Sequence, residues 1–181
     1  DVGYWVPERG RYAHASFLVP HTPEQLAKRS RSFSRWSAET NGMMSRLSDY
    51  ARSLVTGWYA ARDELSKLDP HFAHKISAYY EQARDRDLFL TTAIIDPQID
   101  RSRNLDDERI AERFLHVVRE TEEGIVIRGA KMIATGAPYT HDFVLSSFLQ
   151  FKPQDRKHAH VLIVPANSKG LHIVCRESFA Q

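Results

Sequence analysis

The hydrophobic period of this chain changes once, close to Asp87, and that change limits the fold more than any other feature. Before it, apolar residues recur at three- and four-residue spacing. Tyr50, Leu54, Val55, Trp58, Ala61 and Leu65 make one such stripe, on a helix expected to start near Ser48-Asp49. Phe72, Ile76, Tyr79, Tyr80 and Ala83 make another, on a helix expected to start at Asp69-Pro70. Thr22-Pro23-Glu24-Gln25 predicts an earlier helix start, with Thr22 as N-cap, Pro23 at the first helical position and Gln25 closing a capping box. After Asp87 the pattern is one of short β-rich runs: Phe114-Val118, Ile125-Arg128, Lys131-Thr135, Phe143-Phe151, His160-Val164 and Leu171-Cys175. Glu122-Glu123-Gly124 predicts a tight link between two of them, and the polar stretch Lys152-Lys157 a hairpin end. Helices followed by strands, in blocks rather than alternating, predict an α+β chain with segregated layers. The expected division is a helical domain over residues 1–90 and a β domain over residues 91–181.

At the join lies Asp96-Pro97-Gln98-Ile99-Asp100-Arg101-Ser102, directly after the apolar run Leu88-Ile95. Pro97 fixes φ and removes a donor, so regular structure must end there. An amide, two carboxylates and a guanidinium then fall within six residues. A rigid polar turn after a buried segment suits a polar ligand; a solvated linker has the same composition.

Several chemistries are excluded by what the chain lacks. Charge is balanced, at a net +2, and the densest basic run is only Lys28-Arg29-Ser30-Arg31, which argues against nucleic acid as a partner. Gly124 and Gly129 have P-loop spacing, but Ala130 stands where that loop needs lysine, and no GxGxxG is present. His71/His74 and His158/His160 are pairs without a third ligand nearby in sequence, so no metal is expected. The single cysteine, Cys175, excludes an internal disulfide framework and is expected to be a half-buried structural thiol in a strand. No apolar stretch reaches the roughly 18–20 residues that span a bilayer, and no signal peptide is recognisable. A cytoplasmic location without membrane contact is therefore expected. The chain opens at Asp1, without Met, and reads as a piece of something longer.

Three blocks carry a family resemblance. They are Leu88-Phe89-Leu90-Thr91-Thr92 through Asp96-Pro97-Gln98-Ile99-Asp100-Arg101-Ser102, His116-Val117-Val118-Arg119-Glu120-Thr121 through Gly129-Ala130-Lys131-Met132-Ile133-Ala134-Thr135-Gly136-Ala137-Pro138, and the closing Gly170-Leu171-His172-Ile173-Val174-Cys175-Arg176-Glu177-Ser178. In this order they resemble the 4-hydroxyphenylacetate 3-monooxygenase family, from about Gly42 to the end of the chain. The resemblance implies an acyl-CoA dehydrogenase-like fold: an N-terminal helical domain, a central antiparallel β-barrel or sandwich, and a C-terminal helical bundle that this chain lacks. It implies an oxygenase component that takes reduced FAD from a separate NAD(P)H-dependent flavin reductase. That component reacts the flavin with O2, through a flavin hydroperoxide, and hydroxylates a phenol ortho to its hydroxyl. A homo-oligomer, typically a tetramer, is implied for the full-length protein. An acyl-CoA dehydrogenase-type flavoprotein and a non-catalytic fragment of the same fold are the alternatives.

The same resemblance implies roles for individual residues. Ser45-Arg46-Leu47-Ser48-Asp49-Tyr50 matches the family's Gly-Arg-Ser/Thr-Pro-Asp-Tyr, which places Arg46 and Tyr50 on the phenolic oxygen of the substrate. A guanidinium favours the phenolate, and a tyrosine hydroxyl adds a directional hydrogen bond. Thr92 stands where the family has histidine as a third phenol contact; threonine hydrogen-bonds but is no base near neutral pH. Another phenol, halogenated or carrier-bound, is therefore a reasonable substrate. Gln98, Ile99, Asp100 and Arg101 match the flavin-contacting turn, and Thr135 a flavin contact in the β domain. Tyr139 and Thr140 fall where the substrate's tail is gripped.

Overall fold

In the computed structural model the described residues are 2–42, 47–98, 112–147 and 151–177. The structure is a mixed α/β chain with short antiparallel sheets, and it separates into two compact units, residues 1–90 and 91–181.

The first unit opens with a hairpin rather than a helix. Strands β1 (Gly3–Val6) and β2 (Arg11–His14) pair antiparallel, joined by a 3-10 turn over Pro7–Arg9. Gly10 closes that turn in the left-handed region, at φ 61. Three helices follow that carry most of the unit, with a single-turn helix among them: α1 (Pro23–Glu39), α2 (Leu47–Ala60), the short α3 (Arg62–Leu65) and α4 (Phe72–Asp85). The helix start at Thr22 is as expected: its hydroxyl accepts from the Gln25 N–H at 3.3 Å. The Gln25 side chain reaches one residue further back than in a capping box, accepting from the His21 N–H at 2.7 Å. The expected stripe from Tyr50 to Leu65 divides between two helices, because α2 ends at Ala60 and Leu65 lies in α3.

Phe17, Ala51, Val55, Ile76, Tyr80 and Ala83 form the interior of this unit. Its polar groups are held by specific bonds. The Tyr80 hydroxyl donates to the Phe17 carbonyl, and its ring stacks on Tyr59 with centroids 3.9 Å apart. Arg52, nearly fully buried, donates to the backbone carbonyls of Leu88 (2.8 Å) and Asp87 (2.9 Å), pairs with the Asp87 carboxylate at 3.0 Å and lies over the Phe17 ring. It thereby fixes the turn after α4, where Asp87 takes φ 50. Arg52→Met is expected to cost about 2–4 kcal/mol, since both carbonyls lose a charged donor. Urea denaturation of the chain measures this; a loss below about 0.5 kcal/mol would show that water replaces the guanidinium.

His14 introduces a pH dependence. Its Nδ1 accepts from the Ser16 N–H at 3.2 Å, capping the 3-10 turn Ala15–Phe17, so the ring must be neutral. Burial, with the Arg52 guanidinium adding to it, holds this imidazole down at about 4, against an ordinary 6.5. Below 6.5 the unfolded chain binds the proton first. Stability is thus complete above about pH 6.5 and falls as pH drops toward 4. Between about pH 7 and pH 5 the expected loss is about 1–2 kcal/mol after allowance for solvent screening. His14→Asn, which keeps an acceptor at the cap, should flatten the denaturation-versus-pH curve over that window. An unchanged slope would assign the titration elsewhere.

Among the described residues the second unit holds two sheets. In one, β3 (Leu90–Ala93), β6 (Asp142–Leu145) and β7 (Leu162–Pro165) lie in the order β3-β6-β7, with β6 and β7 antiparallel. The other is the hairpin of β4 (His116–Thr121) and β5 (Gly124–Arg128), turned at Glu122-Glu123 as the sequence predicts and shifted in register between Val117 and Arg119. Ala93, Leu115, Ala137, Phe143 and Leu145 form the core, with Ile127, Leu162 and Val164 packed against it. Gly129, just after β5, runs at φ +132 against the backbone of Phe114 and Leu115, and a Cβ there would stand 2.4 Å from the Phe114 carbonyl oxygen.

Two of the expected β runs, and the expected hairpin end, take other forms. Lys131-Thr135 is an arch that touches Ile95 through one isolated bridge at Met132, with Ile133 in the left-handed region at φ 59. Leu171-Cys175 is irregular, and Cys175 is exposed rather than half-buried in a strand. Lys152-Lys157 is not a hairpin end but a 3-10 segment, Pro153–His158, whose first turn is capped when the Lys152 N–H donates to Asp155 at 2.9 Å. Among the described residues no helix is long and apolar enough to cross a membrane.

Candidate functional site

In the first unit the one marked residue that is described, Tyr50, sits at the start of α2. Tyr50 is in its first turn and exposed, directly after the buried Asp49. Apolar patterning pulls a first-turn tyrosine inward, yet here Ala51 and Val55 fill the interior and Tyr50 faces outward. Arg46 lies outside the described residues, as do Ile99, Asp100 and Arg101 of the polar turn.

In the second unit β3 orders two threonines on opposite faces. Thr91 is buried, and its hydroxyl donates to the Thr135 carbonyl at 2.6 Å; Thr92, on the other face, is half-buried. The strand that carries Thr92 is therefore tied to the arch that carries Thr135. Gln98 is exposed two residues after Asp96. Tyr139 is 76% exposed on the 3-10 turn Ala137–Tyr139. Thr140 is buried, and its hydroxyl donates to the Asp142 carbonyl at 2.8 Å, so it shapes the entry to β6.

Thr135 also lines a cleft of about 1020 Å³ in this unit. Its wall is formed by Leu115, Ile127, Phe143 and the arch, and its other side by the irregular segment from Gly170 to Arg176. Met132, Ile133, Ile173 and Val174 line it while remaining exposed. A cleft of that size, mostly apolar with a few polar groups, suits a planar aromatic ligand. Neither Tyr139 nor Thr140 lines it.

Sequence reasoning missed the polar clamp beside this cleft. Lys131 and Asp96 form an ion pair with side chains only 7% and 12% exposed, and the Ser147 hydroxyl donates to the other Asp96 oxygen. The signal was partial: Asp96 stood out in the polar turn, but a lysine inside a β-rich run gives no sign of burial.

Compared with known proteins, the chain matches the family described as 4-hydroxyphenylacetate 3-hydroxylase N terminal over residues 2–181. The chain belongs to this family. It is 34% identical to the 4-hydroxyphenylacetate 3-monooxygenase oxygenase component of Thermus thermophilus, over 94% of this chain and 34% of that protein. It is 33% identical to a Streptomyces globisporus monooxygenase named for a carrier-protein-bound 3-amino-3-(3-chloro-4-hydroxyphenyl)propanoyl group, over 93% of this chain and 31% of that protein. Among solved structures it resembles the oxygenase component of 4-hydroxyphenylacetate 3-monooxygenase in complex with FAD and 4-hydroxyphenylacetate. The TM-score is 0.86 at 33% identity, over 97% of this chain and 36% of that one. The chain thus spans about a third of the length of these relatives.

Proposed function

We propose that this chain is the N-terminal and central part of the oxygenase component of a two-component, FADH2-dependent monooxygenase. Its reaction converts a phenol, O2 and FADH2 into the ortho-diphenol, FAD and water. The observation that carries the reading is the family match over residues 2–181, with relatives that act on 4-hydroxyphenylacetate and other phenols. The helical unit and the β unit are read as the first two domains of an acyl-CoA dehydrogenase-like fold, the β unit being its central barrel or sandwich and a C-terminal helical bundle completing the pocket. A tetrameric assembly, a separate NAD(P)H-dependent reductase and a cytoplasmic setting belong to the same reading.

The residues of the β unit fit a flavin. The cleft is roomy and mostly apolar, Thr135 lines it, and the arch presents Met132 and Ile133 to it. Thr135 and the turn residues Gln98, Ile99, Asp100 and Arg101 would hold the cofactor, Arg101 offsetting its negative charge and Gln98 meeting a polar edge. Reduced FAD, when bound, supplies the activation of O2. The rest is the work of side chains. Arg46 and Tyr50 hold the phenolic oxygen and favour the phenolate, the form of the ring that reacts best with an electrophilic oxygen. Thr92 donates or accepts one further hydrogen bond there without serving as a base. Tyr139, exposed on its turn, is the better placed of the two tail-binding candidates, since the Thr140 hydroxyl is already spent on Asp142.

The test uses the full-length protein with chemically reduced FAD, O2 and a panel of phenols that includes 4-hydroxyphenylacetate and halogenated analogues. Formation of an ortho-diphenol is the expected result. Flavin oxidation as fast as in free solution, with no hydroxylated product across the panel, would refute the proposal. Reduction of bound FAD by an acyl-CoA would point to the dehydrogenase alternative.

A further inference from the structure

The arch Lys131-Thr135 is held at both ends and strained in the middle. At its start Lys131 pairs with Asp96, and the Met132 N–H donates to the Ile95 carbonyl at 2.8 Å. At its end the Thr135 carbonyl accepts the Thr91 hydroxyl at 2.6 Å. Between these anchors Ile133 takes φ 59, and its side chain is 69% exposed. A β-branched residue in the left-handed region is disfavoured, and it persists only where its surroundings over-determine it. An exposed side chain cannot supply that constraint through its own packing. The anchors must, and the Asp96 group is the costliest of them to build. It buries a lysine and a carboxylate and uses both carboxylate oxygens, one on Lys131 and one on Ser147. A buried ion pair is a weak source of stability against an apolar replacement, so its presence here is better explained by what it positions.

Its location says what that is. Asp96 stands immediately before Pro97-Gln98, and Lys131 is the first residue of the arch that presents Thr135 to the cleft. We propose that Asp96 is a positioning residue. Through Lys131 and Ser147 it locks the Pro97-Gln98 segment and the Lys131-Thr135 arch into one rigid cradle for the flavin. It touches no ligand itself. The inference rests on the flavin reading above and adds the group that holds the cradle in shape.

Affinity for FAD and thermal stability of the full-length protein separate positioning from simple support. Asp96→Asn leaves the Lys131 charge buried and unpaired, so both Tm and FAD affinity should fall, with Kd rising about 10-fold or more. Asp96→Asn combined with Lys131→Met removes the orphaned charge. Its Tm should return toward the wild type, while Kd stays raised and the visible absorption band of bound FAD loses the shape it has in the wild type. Recovery of Kd together with Tm in the double variant would reduce Asp96 to structural support and overturn the inference. So would wild-type affinity in both variants, with the flavin reading left standing. A wild type that binds no FAD at all would overturn the flavin reading and this inference with it.

Discussion

Gly129→Ala is expected to unfold the β unit of this chain or leave it insoluble. Two independent penalties meet at the position. The backbone runs at φ +132, a region that side-chain-bearing residues rarely adopt, and the added methyl would lie 2.4 Å from the Phe114 carbonyl oxygen and 2.6 Å from the Leu115 N and Cα. The obstacles are backbone atoms, so no side chain can swing aside; β4 and the segment before it would have to move. Leu115 belongs to the core with Ala93 and Phe143, so the displacement would open that core. A cost of about 4 kcal/mol or more follows, comparable to much of the stability of a small unit. Thermal unfolding followed by near-ultraviolet circular dichroism, compared with Gly124→Ala as a control, measures it. Gly124 is also at positive φ, 142, but a methyl there meets nothing within 4 Å, so its variant carries the backbone penalty alone. Equal losses at the two positions would show that the close approach to Leu115 relaxes cheaply.

Arg46→Ala is expected to lower hydroxylation by the full-length protein about 100-fold or more near neutral pH. On the proposed reading, in which Arg46 holds the phenolic oxygen, the variant loses one fixed charge at that anion. The sign of its pH dependence is the sharper check. A free phenol ionises near pH 10, so with the guanidinium absent the reactive phenolate becomes common only as pH rises. The ratio of wild-type to variant rate should therefore shrink steadily between about pH 7 and pH 9.5. Arg46→Lys should recover part of the rate, as a point charge without the fork of donors. Equal rates for Arg46→Ala and the wild type would remove Arg46 from the phenol. A reduced ratio that stays constant with pH would assign it to binding of another part of the substrate.

How much was legible in the sequence followed from the range of the interactions involved. The Thr22 cap, the Phe72-Ala83 stripe and the turn at Glu122-Glu123 rest on contacts between residues a few positions apart, and the chain forms them as read. The hairpin of β1 and β2 was missed because its four-residue strands show no alternation, and its hold on the unit runs from Arg9 and Arg11 to Glu81 and Asp85 on α4. Cys175 was misjudged for a related reason. Leu171-Cys175 has strand composition, yet Val174 is 92% exposed and the segment takes no strand form. Composition states a preference, and pairing has to be supplied from elsewhere in the chain.

The candidate site divides along the same line. Its chemical vocabulary is local: Arg46, Tyr50, Thr92, the Asp96-Arg101 stretch and Thr135 stand in short ordered motifs, and those motifs carry the proposed reading of a flavin and a phenol. The sequence by itself also determined the order of a helical unit and a β unit, because the period of the apolar residues is a property of neighbours. Only the tertiary structure decided how the second unit presents its residues. Lys131-Thr135 carries a strand-like sequence, but Asp96, 35 residues away, takes the charge of Lys131 into the interior, and Thr91, 44 residues away, holds the Thr135 carbonyl. Those long-range bonds outweigh a β preference worth about 1 kcal/mol at most per residue, and they turn a predicted strand into an arch. A bond between residues so far apart in sequence leaves no periodic trace, so its effect becomes visible only when the chain is folded.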